Sequence, residues 1–168
     1  MNAKLAAWNV APREEALAAM LACCGARQWA AAMVALRPIQ NVEELSTTAD
    51  RAWSSMEEPD WMEAFACHPR IGERRQDAGG QSAAWSRQEQ SPVDSAEARV
   101  LKELAEGNAL YEQRFGFMYI VCATGKSAEE MLAILEHRLA STREAELHEA
   151  AEQQRLIMQI RLGKWLIE

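Results

Sequence analysis

The chain has 168 residues, 18 basic against 25 acidic, and a net charge of −7. That length predicts one domain able to bury a core without disulfide or metal staples. The acidic balance argues against the basic face of a nucleic-acid binder, though not against a local arginine cluster for a small anion. The 31 alanines, beside only five Tyr and Phe, are helix-forming composition and disfavour an all-β fold.

The first predicted helix starts at Pro12, with Glu14 and Glu15 at its positive end. Leu17, Met20, Leu21 and Cys24 form its apolar stripe, and Gly25 stops it. Upstream, Asn9 and Pro12 break a short apolar patch, and no helix is predicted there. A second helix covers about Arg27 to Leu36 and ends at Pro38. Asn41 and Glu44 read as a capping box before a helix with Leu45, Ala49, Ala52 and Trp53. Asp60 and Glu63 read as another box before a short helix through Phe65 and Ala66. That helix must end near Cys67 and His68, because Pro69 disfavours helical geometry in the residue before it.

The stretch from Pro69 to about Gln81 reads as a loop, with Gly72, Gly79 and Gly80 among charges. A short amphipathic piece covers Ser82 to Gln90. Pro92 and Asp94 open a longer helix through Val100, Leu104, Tyr111 and Phe115, closed by Gly116. Phe117 to Thr124 is the one β-like run. Alone it cannot form a sheet, so it is expected to be an ordered, extended connector. Ser127 and Glu130 form a further capping box, and a last helix runs from about Thr142 nearly to the end. The expected architecture is all-α: a single-domain helical bundle, 1–168, of seven to eight helices with one extended connector.

No apolar run approaches the roughly 18 residues of a membrane span. The first residues lack the apolar core of a secretory signal, and the last residues match no peroxisomal or endoplasmic-reticulum address. The expectation is a cytoplasmic protein that binds neither membrane nor nucleic acid. Cys23, Cys24, Cys67 and Cys122 lack metal-site spacing and read as buried, reduced thiols. No phosphate-cradling glycine motif is present.

Three places do not fit plain scaffolding. His68, fixed between a helix end and Pro69, carries a ring that titrates near neutrality and can transfer a proton; read alone, it is equally a surface or capping histidine. His137 and His148 read as residues of solvated helix faces. Ser86 and Glu89 share one helix face, with Gln90 adjoining. A carboxylate there could orient an imidazole, and the same pattern also describes a cap on a solvated helix. Arg161 lies within a stripe of Ile157, Met158 and Trp165 and needs a partner, unless it snorkels to the rim. Arg70, Arg74 and Arg75 either add a local positive field or are simply solvated.

The order H-P-R-I-G at 68–72, S-x-x-E-Q at 86–90, R-F-G-F-x-Y-I-V-C-A-x-G-K-S at 114–127 and R-L at 161–162 resembles the 2-oxo-4-hydroxy-4-carboxy-5-ureidoimidazoline (OHCU) decarboxylases. The similarity runs from the first predicted helix to Arg161. Met118 and Tyr119 depart from the family's frequent Pro and Phe. Ser141 stands where the family often has Asn, and is expected to cap the last helix in its place. The resemblance implies stereospecific decarboxylation of OHCU to (S)-allantoin, the third step of urate degradation, with no cofactor and no metal. It gives His68 the acid–base role and Glu89 the orienting carboxylate. It gives substrate contacts to Pro69, Ser86, Arg87, Gln88, Glu89, Gln90, Arg161 and the backbone of Tyr119, Ile120, Val121, Cys122 and Ala123, where unpaired N–H and C=O groups could match a ureide. The implied partner is a small ureide, and a homodimer through the apolar ends of the last helix fits the family. A non-enzymatic helical interaction module, and a cofactor-free lyase or hydrolase for another ureide, remain the alternatives at this point.

Overall fold

Polar caps and alanine-rich stretches set the helix boundaries. The computed structural model describes residues 2–71, 80–89 and 97–168. Among the described residues there are nine helices and no strand. They are α1 (Ala3–Val10), α2 (Arg13–Cys23), α3 (Arg27–Ala35), α4 (Val42–Ser54), α5 (Glu58–Ala66), α6 (Gln81–Glu89), α7 (Ala98–Phe115), α8 (Ala128–Arg138) and α9 (Arg143–Ile167). The all-α reading holds, with one helix more than expected. Among the described residues, no helix is long and apolar enough to cross a membrane. The chain divides into two compact units.

The first unit comprises Met1–Ala64 and Arg155–Glu168, and it contains the extra helix. Asn2 caps α1, its side chain accepting from the N–H groups of Lys4 and Leu5 at 2.9 and 3.1 Å. Asn9, read as a break, lies inside the helix and clamps Ile39: its Nδ2 donates to the Ile39 carbonyl at 2.7 Å and its Oδ1 accepts from the Ile39 N–H at 2.9 Å. A tertiary contact thus offsets the weak helix propensity of asparagine. Two buried indoles of this unit follow the rule that a buried N–H finds an acceptor. Trp8 donates to the Ala16 carbonyl at 3.0 Å and Trp29 to that of Ala49 at 3.1 Å.

Asn41 caps α4 by accepting from the Glu44 N–H at 2.9 Å. The α5 box differs from expectation: the helix begins earlier, and Asp60 accepts from the Glu57 N–H at 3.1 Å, so Asp60 is the third helical residue reaching back rather than the cap. Glu63 is then released to pair with Arg27. On the other side of the unit, the later part of α9 is tied to α4: Arg155 donates to Asp50 at 3.0 Å, and Gln159 donates to the same carboxylate at 2.8 Å.

The second unit is Phe65–Gln154. Its α7 ends on Gly116 at φ +81°, in the left-handed region, with nothing within 4 Å of a Cβ placed there. Gly116→Ala is therefore expected to lose about 1–2 kcal/mol from backbone strain alone, readable as a lower midpoint in urea unfolding. Ser127 and Glu130 form the reciprocal capping box of α8. At α9 the cap is Thr142, whose hydroxyl accepts from the Ala145 N–H at 3.2 Å, so Ser141 does not take that role. Between α7 and α8, residues 117–123 have neither helix nor strand and are buried apart from half-buried Met118, as the connector expectation required. Their aromatic rings anchor them: Phe117 and Tyr119 pack on Tyr111, with centroids 5.8 and 5.4 Å away.

Candidate functional site

His68 stands just past the end of α5, its N–H bonded to the Phe65 carbonyl at 3.1 Å. The turn places the side chain inward: His68 is only 8% exposed. Its Nε2 lies 2.6 Å from Oε1 of Gln154, a residue with no exposed surface. An amide oxygen only accepts, so this contact is a hydrogen bond when Nε2 carries the proton. The capping or surface reading of His68 is thereby set aside. His137 and His148 are exposed, as read.

The neighbouring residue reaches the connector. Gln153 Oε1 accepts from the Cys122 N–H at 2.8 Å, while its Nε2 donates to Glu149 at 2.9 Å. Adjacent residues of α9 thus hold the imidazole and the extended backbone. The expectation of unpaired backbone groups along Tyr119–Ala123 is met only in part. The Ile120 carbonyl accepts from Arg138 at 2.7 Å, the Cys122 carbonyl from Lys126 Nζ at 2.9 Å, and the Ala123 carbonyl from the Lys126 N–H at 3.0 Å. A buried backbone group left without a partner is costly, so a buried connector recruits side chains. Among the described residues, none of these bonds reaches the N–H or carbonyl of Val121.

A buried ionic network fixes the connector. Arg138 Nε donates to Glu146 at 2.7 Å, and the two side chains are 6% and 3% exposed. The Tyr111 hydroxyl donates to the same carboxylate oxygen at 2.6 Å. The Arg138 guanidinium also lies 5.0 Å from the Tyr119 ring centroid, a cation–π distance. Burial raises the pKa of the Tyr111 and Tyr119 hydroxyls, with the Glu146 bond adding to the rise at Tyr111, so both remain protonated donors. At Arg138 burial acts downward, but the surrounding Tyr111, Glu146 and Tyr119 outweigh it and raise the pKa.

Pro69 is half-buried beside His68. On α6, Ser86 is buried and Glu89 half-buried, whereas Arg87 and Gln88 are exposed. Gln90, Arg74 and Arg75 lie outside the described residues. Arg70 is paired with Glu112, Nη2 to Oε2 at 2.9 Å, which neutralises the positive field proposed for it. Arg161 is 3% exposed, which removes the snorkelling alternative; it belongs to the first unit, as does Cys23. Burial pushes the Cys23 thiol up to about 12, with Arg161 opposing. All four cysteines are free, and Cys67 is exposed rather than buried, because it follows the last turn of α5. Among the described residues, no group of three or more His, Cys, Asp or Glu is placed to hold a metal ion.

The family model described as OHCU decarboxylase matches residues 9–163. The chain belongs to the OHCU decarboxylase family. Among similar curated proteins is the uric acid degradation bifunctional protein TTL of Arabidopsis thaliana, 36% identical over 144 residues, or 84% of this chain. The match spans only 44% of that plant protein. The 2-oxo-4-hydroxy-4-carboxy-5-ureidoimidazoline decarboxylase of Amia calva is 31% identical over 79% of this chain and 77% of its own length. A solved OHCU decarboxylase, crystallised in the presence of (S)-allantoin, superposes with a TM-score of 0.78 at 32% identity, covering 94% of this chain and all of that one. An (S)-allantoin synthase structure shares the fold, with a TM-score of 0.72 at 18% identity over 96% of this chain and 53% of that one.

Within this OHCU decarboxylase fold, sequence reasoning missed Gln154, Gln153 and the Arg138–Glu146 pair. A signal was available for Gln154. Leu147, Ala150, Ala151, Gln154, Ile157, Met158 and Arg161 follow helical spacing and are all buried. A polar side chain inside an apolar stripe needs a partner, and this holds for Gln154 as it does for Arg161, one heptad later. Gln153 and Arg138 gave no such signal, because their partners are connector backbone groups.

Proposed function

We propose that this chain decarboxylates OHCU to (S)-allantoin, and that residues 1–168 act as one OHCU decarboxylase-like domain. The observation that carries this reading is a buried, hydrogen-bonded His68 in a chain that matches the family from residue 9 to residue 163. The likeness to a 32% identical enzyme crystallised with (S)-allantoin supports the choice of ureide.

The substrate supplies its own electron sink. Loss of CO2 breaks the C4–carboxylate bond, and that electron pair forms a C4=C5 double bond while the adjacent C5=N pair moves to the ring nitrogen, which takes up a proton. Protonation at C5 and loss of the C4 hydroxyl proton then give the ring carbonyl of allantoin. No cofactor is needed to stabilise the carbanion. The protein's task is to hold the carboxylate out of the ring plane, exclude water and deliver one proton to one face. In our reading His68 moves that proton and Glu89 orients the reacting group. Pro69 lines the site, while Ser86, the 87–90 segment and the backbone of Tyr119 to Ala123 bond the ureide. Arg161 is assigned a grip on a carbonyl or the departing carboxylate, a role that rests on the resemblance together with its burial.

The free thiols suit a reducing, cytoplasmic compartment. The 84% exposed Ile167 near the end of α9 supports a homodimer through that end, which sedimentation of the wild type and Ile167→Glu would resolve. The activity is tested by supplying freshly generated OHCU. The expected result is consumption well above spontaneous decay, with little turnover of a panel of other ureides. Loss of OHCU at the background rate alone would overturn the reading.

A further inference from the structure

The reaction assigned above needs a histidine whose proton sits on a known nitrogen and whose ring cannot swing. The backbone bond to Phe65 fixes the main chain of His68 but not its ring. The ring is addressed instead from α9, by an amide with no exposed surface, 2.6 Å from Nε2. Glutamine on a core stripe is unusual, since burying an amide without a bond is costly. A leucine or methionine would fill the same stripe at no polar cost. Gln153, next in line, accepts from the connector in the same manner, so this point of α9 presents two carbonyl acceptors to two separate elements.

We propose that Gln154 is the positioning residue for His68. Its side-chain carbonyl accepts from Nε2–H, holds the imidazole in the Nε2–H tautomer with the lone pair on Nδ1, and fixes the ring plane for proton transfer. The proposal rests on the decarboxylase reading for its kinetic consequence, but not for the tautomer. The carbonyl selects that tautomer because it can only accept.

The test is 15N-edited NMR of the histidine side chains of the full chain, with His68 assigned by its absence in His68→Asn. The wild type is expected to show the Nε2–H tautomer at His68, while the exposed His137 and His148 average between forms. A wild-type His68 in the Nδ1–H form overturns the proposal without any variant. In Gln154→Met, which suits the apolar stripe, the tautomer preference is expected to be lost. With OHCU, kcat should fall roughly tenfold, about one hydrogen bond of transition-state positioning, with KM changed less than about twofold. Gln154→Glu, which puts a carboxylate acceptor at the same place, should keep Nε2 protonated and add a proton at Nδ1, because the carboxylate favours the imidazolium. If Gln154→Met keeps both tautomer and kcat, Gln154 merely fills space. A wild type without OHCU turnover but with the Nε2–H signature would remove the decarboxylase reading and leave the positioning role standing.

Discussion

Glu146→Leu is expected to destabilise the protein by about 3–5 kcal/mol, the range for breaking one side of a buried ion pair. At this chain length that corresponds to a fall in Tm of roughly 6–20 °C. The cause is the guanidinium of Arg138, which is 6% exposed on its side chain and would lose the carboxylate 2.7 Å from its Nε. Tyr111 would lose its acceptor at the same time. Arg138→Met should cost at least as much, because the Ile120 carbonyl then loses its only described donor. The double variant Arg138→Met/Glu146→Leu should recover part of the loss, since no charge is then left buried alone. Recovery stays incomplete because the Ile120 carbonyl and the Tyr111 hydroxyl remain unpaired, each worth about 1–3 kcal/mol. Thermal unfolding of the four proteins measures the coupling. Simple additivity of the two single losses would show that the pair does not act as a unit.

His68→Asn is expected to lower kcat for OHCU by at least about 100-fold, the lower end of what a positioned acid–base group contributes. Asparagine keeps a polar side chain able to donate to Gln154, so the fold should survive, with an unchanged far-UV spectrum and a Tm within a few degrees. A variant that turns over OHCU at close to the wild-type rate would remove His68 from proton transfer. A variant that fails to fold would be recognised from the spectrum, and the longer His68→Gln, closer in size to histidine, can then be compared with it.

The helices were legible wherever caps and apolar spacing agreed. Ser127 with Glu130, and Asn41 with Glu44, marked their helices because both partners are local. The extended run after Gly116 was legible because β-branched and aromatic residues interrupt an alanine-rich chain. The short α1 was not legible, because Asn9 is satisfied by Ile39, 30 residues away. The same division governs the site. His68 and Arg161 could be singled out, one by the Pro69 break and the other by its apolar stripe. What holds His68 could not be read from its neighbourhood: Gln154 is 86 residues distant, and the nearer candidate, the carboxylate of Glu89, drew attention instead. Arg138 gave no warning either, since it ends a helix where a basic residue is ordinary on dipole grounds. Its burial follows only from the close return of α9, which places Glu146 eight residues later at 2.7 Å.

The proposed reaction requires this protein to deliver a proton to one face of the decarboxylated intermediate. Circular dichroism of the allantoin formed from fresh OHCU reads that delivery, because spontaneous decay gives no handed excess. The predicted result is an optically active product of the S configuration, formed with the wild type and lost with His68→Asn. Racemic allantoin from the folded wild-type protein would contradict the claim.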